Sequence, residues 1–365
     1  MHTDIGYNLK IDNFSDKNKI EKYRNLLYSN WKNNAYYSYE YLNHYGSESN
    51  ELMYFIFEKF GEPIILMPFI LRSIKLNNKI TNYFDVTTPY GYAGPILKDT
   101  CSINEYGPFW NAVDKWYRQN NIITEFVRFG LIDNHHYYNG DLVSTLKNIK
   151  GKILMDQQVQ WDNFLPKVRN NYRRAQQFNL TFKLFKNQEI NDAVITSFHD
   201  IYIKTMLRRE ASEDFFFSLA YFKNLIYSNL DSFFIVLIYL EDKAISTELI
   251  ISYKNTCYAY LGGTIGDFFH CRPNDFLRVE MIRWASEHGV QYYILGGGRK
   301  NDDGLYKNKK SLFPKDEDVI FYTGRKVLNE QVYKELNRWA EKEDFEGNTQ
   351  ENQSFFPYYR RFNVL

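Results

Sequence analysis

The segment 257–298, CYAYLGGTIGDFFHCRPNDFLRVEMIRWASEHGVQYYILGGG, constrains the fold more than any other stretch of the chain. An apolar strand ends at Gly262 and Gly263, a polar loop follows, and a second strand ends at Gly296, Gly297 and Gly298. Between them Leu277, Met281, Trp284 and His288 recur at helical spacing, Asn274 or Asp275 stands where a cap belongs, and Gly289 closes the last turn. Strand, loop, helix and strand in this length is the size of a parallel crossover. Adjacent glycines at a strand end admit backbone angles closed to other residues and let a ligand approach the main chain. The loop also lies where open α/β sheets bind ligands, which makes it the first candidate site.

The rest of the chain repeats this order of elements. In the first half, residues 52–60, 64–71 and 80–86 read as a meander of strands. The loop TTPYGYAGPIL (87–97), a helix from Pro108 and a closing strand at 125–129 follow. In the second half, WDNFLPKVRNNYRRAQQF reads as one helix with Pro166 near its start. A strand at 181–185, a helix at 191–209, an aromatic helix at 213–228 and strands at 233–240, 244–252 and 256–261 lead into the opening segment. A final helix spans 329–343, before a polar linker and the aromatic tail FFPYYRRFNVL. The length of 365 residues suits two domains. The pattern predicts an α/β (α+β) fold of two similar domains, 1–155 and 156–345, each a mixed central sheet flanked by helices, with a cleft between them and a tail at 346–365.

Composition narrows the function. A formal net charge of +1 supplies no global field toward DNA or an anionic membrane, so any anion site must be local. Cys101, Cys257 and Cys271 show no metal-type pairing, and the seven histidines form no metal-binding spacing, His135 and His136 lying in a polar loop. No metal is expected. No nucleophile elbow or P-loop appears, since LGGGRK lacks the ending that holds phosphate and magnesium. The first residues carry no apolar core of secretory length and no apolar run can span a bilayer, which predicts a cytoplasmic protein.

The ordered series YGYAGP, FLPKVRNNYRRAQ, IYIKTMLRREA, YAYLGGT, RPNDFLRVEMIRWASEHG, LGGG and LYKNKKSLFP resembles the FemAB-like branch of the GNAT acyltransferase superfamily, and it covers most of the chain. The resemblance implies two tandem GNAT-like domains and transfer of an acyl or aminoacyl group to an amine. The donor would be acyl-CoA, such as acetyl-CoA, or aminoacyl-tRNA. The acceptor would be a nucleotide- or lipid-linked amino sugar of a cell-envelope polysaccharide, or a peptidoglycan precursor. The chain departs from the pattern at GDFFHCRPND, where acetyl-CoA-dependent members carry a glycine-rich pyrophosphate loop, and it has no long helical insert in its second domain. A silent module that binds a sugar nucleotide or scaffolds an envelope complex is the alternative from another class.

Amine acylation needs an uncharged amine and donors aimed at the oxyanion of the tetrahedral intermediate. Glu248, in the otherwise buried strand AISTELIIS, is the leading general base, because an ionised carboxylate there is costly unless paired. Asp85 is the second candidate, and the same residues fit edge or ion-paired carboxylates. Tyr90 and Tyr92 flank Gly91 in a turn suited to lining a ligand or to covering the core edge. Arg169 and Arg173 share one helix face, with Lys167 and Arg174 nearby, as a phosphate clamp or a solvated basic face. Arg208, Arg272 and Asn274 stand near the glycine loop, and Lys309 and Lys310 correspond to the lysine-rich segment of the family. With the amides of Gly262, Gly263, Gly296 and Gly297 they complete the expected donor and acceptor contacts. The C-terminal tail is a candidate for packing on its own chain, on a partner or at a membrane surface as a peripheral contact.

Overall fold

The computed structural model describes residues 6–32, 34–47, 49–76, 79–342 and 355–361. The chain runs β1 (Tyr7–Asn13), α1 (Lys17–Trp31), α2 (Tyr39–Leu42), β2 (Asn50–Lys59), β3 (Glu62–Leu76), β4 (Lys79–Thr87), β5 (Ile96–Leu97), α3 (Tyr106–Gln119) and β6 (Ile122–Arg128). It continues through β7 (Asp141–Lys152), α4 (Gln157–Asn163), α5 (Pro166–Gln176), β8 (Thr181–Lys186), α6 (Asp192–Arg208) and α7 (Leu219–Tyr227). The strands β9 (Phe233–Leu240), β10 (Lys243–Tyr253) and β11 (Thr256–Thr264) precede α8 (Pro273–Glu287), β12 (Tyr292–Gly296), α9 (Gly304–Lys310), β13 (Asp318–Val327) and α10 (Glu330–Lys342).

Two compact units result, one of residues 1–145 and 321–365 and the other of residues 146–320. Residues 321–342, expected in the second domain, pack in the first. The reason is register: Thr323–Val327 of β13 pair with Thr124–Arg128 of β6. In the first unit the strand order is β1-β2-β3-β4-β6-β13, with β5 beside β3. All its described ladders are antiparallel except β4 beside β6. In the second unit the order β8-β9-β10-β11-β12-β7 repeats that plan, with β11 and β12 as the parallel pair. Each unit is therefore a mixed sheet with a meander, a helical crossover (α3 or α8) and a parallel return, the fold class expected from the sequence.

Burial follows the pattern in the residues. The crossover helix α3 presents Phe109, Trp110, Val113 and Tyr117 to its sheet, where they meet Phe55, Phe57 and Phe69 in a core built largely from aromatic rings. In the second unit α8 buries Phe276, Leu277, Val279, Met281, Ile282 and Ala285 against β9–β12. That helix starts at Pro273, and neither Asn274 nor Asp275 caps it: Arg272, in a left-handed conformation, occupies the cap position with no side-chain bond to the first turn.

Other differences from the sequence reading have local causes. The single helix expected across Pro166 is two, because Leu165, just before the proline, is forced into an extended conformation (ψ 150°). The aromatic helix begins only at Leu219, where the Ser218 side chain accepts a bond from the amide of Tyr221. Strands β1, β7 and β13 were not expected, since their polar residues alternate weakly.

The C-terminal tail packs on its own chain over its described residues. Asp85, fully buried in β4, accepts bonds from Tyr359 Oη at 3.0 Å and Arg360 Nε at 2.8 Å, and it pairs with Arg72 Nε at 2.6 Å. Arg360 also donates to the carbonyl of Ser73 at 2.8 Å. The carboxylate is thus the socket into which residues 358–360 plug.

Gly263 tests the packing. A Cβ built there would lie 2.2 Å from Thr205 Oγ1 and 3.1 Å from the carbonyl oxygen of Ile201, so α6 and β11 would have to separate. Gly263→Ala is expected to cost about 1–3 kcal/mol in urea unfolding. Gly107→Ala, in helix α3 with nothing within 4 Å, should leave the midpoint unchanged or raise it.

Candidate active site

The parallel ladder of the second unit is short. Strands β11 and β12 share three rungs, Thr256 with Tyr292, Cys257 with Tyr293 and Tyr258 with Ile294, and there the pairing stops. Two irregularities lie at the same level. The β10–β11 register skips Tyr260, as in a β-bulge, and the β12–β7 register shifts between Ile294 and Gly296, which has φ +73°. Bulges re-aim backbone groups, and here both strands that leave the ladder carry one.

A charged cluster lies under this opening. Glu248 on β10 is cross-strand partner to Gly262 and only 3% exposed. Its carboxylate is gripped by Arg278 of α8, with Nη2 at 2.6 Å from Oε1 and Nη1 at 3.1 Å from Oε2. The hydroxyl of Tyr293 on β12 donates to the same Oε2 and accepts from Arg278 Nη1 at 2.8 Å. Burial pushes the Glu248 carboxyl above the usual range, and the Arg278 charge and the Tyr293 bond pull it part of the way back. The leading base candidate therefore has both oxygens occupied.

Lys309 is the group of this region best poised to titrate near neutral pH. From α9 it donates to the carbonyl of Gly297, at the end of β12, at 2.7 Å. Burial, reinforced by the Arg278 charge and only partly opposed by Glu248 and Asp303, lowers its ammonium to about 8. Lys310 turns away and pairs with Asp318 at 2.8 Å, so of the two lysines only Lys309 faces the cluster.

The glycines have packing reasons of their own. Beyond the approach of α6 to Gly263, a Cβ on Gly262 would lie 2.7 Å from the Thr247 carbonyl and one on Gly297 2.6 Å from that of Lys147. The loop after Gly298 is no phosphate loop, because the amides of Arg299, Lys300 and Tyr306 point at the carboxylate of Asp303.

The anion-binding candidates separate into two groups. Arg208 donates to the carbonyl of Thr264 at 3.3 Å and lies over the ring of Phe269 at 4.6 Å, so it reaches the same loop as Arg272 and the exposed Asn274. The first turn of α8 there has no side-chain cap, and its free amides carry the positive end of the helix dipole. Arg272 Nε is buried with no hydrogen-bond partner. Arg169 and Arg173 do not form the expected clamp. Arg169 donates to the carbonyls of Asp162 and Phe164 at 2.9 and 3.0 Å, and Arg173 lies 5.5 Å over Trp161. With Val168, Tyr172 and Ala175 buried, positions 167 and 171 flank that stripe on one side and 169 and 173 on the other. It is Asn171 and Lys167 that act on Asp275 at the start of α8, where burial raises the Asp275 carboxyl.

In the first unit the structure removes Asp85 from the list of open bases, since its partners are Arg72, Tyr359 and Arg360. Tyr90 is 57% exposed, its carbonyl held by the hydroxyl of Tyr41 at 2.8 Å, and Tyr92 packs edge-on to Tyr36 and Phe321. Sequence reasoning missed Arg128, beneath the Tyr90 ring at 5.8 Å, as well as Arg278, Tyr293 and Lys309's low basicity. Arg278, in the first half of α8, carries no sequence signal of a buried contact. Among the described residues, one group could hold a metal ion: Asp133, His135 and His136, with ligand atoms within 4.8 Å of one another. No described helix is long and apolar enough to cross a membrane.

Residues 164–308, which hold β11, α8, β12, Glu248 and Arg278, match the family model described as an acetyltransferase (GNAT) domain. The solved structure of FemX shares the fold over 89% of this chain and 99% of its own, with a TM-score of 0.61 at 12% identity. The L-PGS of Bacillus licheniformis shares it over 86% and 92%, with a TM-score of 0.53 at 14% identity. No curated protein sequence matches the chain. Residues 164–308 thus match an acetyltransferase (GNAT) domain, and the chain as a whole shares the fold of these structures. Its architecture, two GNAT-like units in tandem, is similar to that of FemX.

The Glu248–Arg278 pair offers a direct check. Arg278→Met strands a buried carboxylate and is expected to cost about 3–5 kcal/mol. The double variant Arg278→Met with Glu248→Leu should recover most of that loss in denaturant unfolding.

Proposed function

We propose that the protein is an N-acyltransferase that moves an acyl group from acyl-CoA, in the cytoplasm, to the amino group of a nucleotide- or lipid-linked sugar used in envelope polysaccharide synthesis. The observation that carries this reading is Lys309, a lysine with its ammonium lowered to about 8 and fixed to the end of β12, where the parallel ladder opens. An extended, amide-bearing donor arm fits such an opening, because main-chain groups of a strand leaving its neighbour can pair with a ligand as with another strand. The α8 N-terminus, with Arg272 and Arg208 beside it, would take the donor's phosphates.

In this reading the attacking amine forms the new C–N bond as neutral Lys309 takes its proton, and the C–S bond to CoA breaks with that proton passed to the departing sulfur. A base is most useful when its basicity lies near the working pH. Glu248 acts through Arg278 and Tyr293, holding the buried charge in place around the lysine rather than taking the proton itself. The backbone amides at the β11 bulge would face the carbonyl oxygen that becomes the oxyanion.

The pH profile of turnover tests this. With neutral Lys309 required, kcat/KM should rise with an inflection near pH 8, and Lys309→Met should lose about 100-fold or more and flatten the profile. Stability gives an independent readout. The folded value lies below the ordinary lysine value of about 10.4, so the fold disfavours the ammonium. Its contribution is complete above the unfolded value and is lost as pH falls through about 8. The wild type should therefore gain stability over Lys309→Met between pH 7 and pH 9.5, and parallel curves would remove the assignment.

The donor is tested by thermal-shift titration with acetyl-CoA, where a ligand at 100 times its Kd adds about 2.7 kcal/mol. Arg272→Ala should weaken that shift at least ten-fold. No shift with acetyl-CoA, together with donor binding that is steeply weakened by salt, would move the reading to aminoacyl-tRNA.

A further inference from the structure

Arg128, at the end of β6, is a half-buried cation with no carboxylate beside it among the described residues. Its Nη1 donates to the carbonyl of Thr88 at 3.1 Å and lies 3.4 Å from Thr87 Oγ1, and its guanidinium stacks 4.8 Å over the ring of Phe126. These contacts fix the plane of the group. They leave Nε and Nη2, the two nitrogens of one edge, without a hydrogen-bond partner among the described residues. That edge is the fork which accepts the two oxygens of a phosphate or carboxylate side by side.

The surroundings show what the fork lacks. The groups that act on Arg128 are Tyr41, Tyr45, Tyr90 and a second cation, Arg72. Asp85, the buried acid of β4, is paired instead with Arg72 and Arg360. Burial and the Arg72 charge lower the guanidinium's affinity for its own proton. A desolvated cation without a counter-charge is costly, and an anion arriving at the open edge would relieve that cost. The exposed ring of Tyr90 and the hydroxyl of Tyr45 give such a ligand a flat face and a polar rim. The turn TPYGYAGP carries Tyr90, and it is tightly packed: Gly91 has φ +90°, and a Cβ there would lie 2.6 Å from the Tyr41 hydroxyl.

We propose that the Nε–Nη2 edge of Arg128, with Tyr45 and Tyr90, is a binding site for a ligand oxyanion, a phosphate or a carboxylate. Describing that ligand as the acceptor rests on the transfer reaction proposed above; the anion site does not.

Isothermal titration of the full chain with sodium pyrophosphate and, separately, sodium succinate tests the site and distinguishes the two sources. One of the two should bind saturably to the wild type. Arg128→Gln should weaken it at least ten-fold while melting at the wild-type temperature or above, because the uncompensated charge is gone. Arg128→Lys, which keeps the charge and loses the fork, should also bind weakly. Each titration is repeated in the Arg272→Ala background, which removes the donor-phosphate site and should leave the Arg128-dependent binding in place, and Arg128→Gln should bind acetyl-CoA as the wild type does, so that failure of the donor site reads differently from failure of this one. The proposal is overturned if neither probe binds the wild type, if Arg128→Gln binds the probe unchanged, or if both Arg128 variants melt well below the wild type, which marks a structural role.

Discussion

The three-rung ladder between β11 and β12 is the constraint on which the second unit's site depends. Two parallel strands that stay paired give a closed sheet with no backbone to spare. Here they part after Tyr258 and Ile294, and everything of chemical interest gathers at that level: the bulge at Tyr260, the left-handed Gly296, the uncapped start of α8 and the Lys309 contact to Gly297. The α8 crossover joins the two strands, and its buried face packs on the sheet.

Charge is arranged around that opening by burial. Glu248 and Arg278 neutralise each other in a place where neither could remain ionised alone, and Tyr293 occupies a bond on each. Burial, with the Arg278 charge behind it, holds the ammonium of Lys309 below the ordinary lysine value. In the first unit the same physics gives the opposite arrangement. Asp85 is over-supplied with partners and locks the C-terminal segment, while Arg128 is under-supplied and keeps one edge open.

Much of the fold was legible because the residues alternate or recur with clear periods. The meander β9–β11 follows from runs such as FFIVLIYL and AISTELIIS, and α8 from Leu277, Met281 and Trp284. The repeat of elements in the two halves was legible for the same reason. Strands β7 and β13 were not, since DLVSTLKNIKGK and DVIFYTGRKV carry no clean alternation and owe their form to the partner strands that receive them. The glycines that mark the candidate site in the sequence owe their requirement to α6 and neighbouring carbonyls that lie far off in sequence.

The sequence by itself determined the two GNAT-like units, the crossover at 257–298 and the set of residue types available for acyl transfer, because these depend on local periodicity and on short spacings. Only the tertiary structure decided their roles. Whether a carboxylate is a base or half of an ion pair depends on which cations approach it, and Arg278 reaches Glu248 across 30 residues while Arg360 reaches Asp85 across 275. Whether a lysine is a surface charge or a proton acceptor depends on how much water its neighbours remove, and that is a property of packing rather than of the residue.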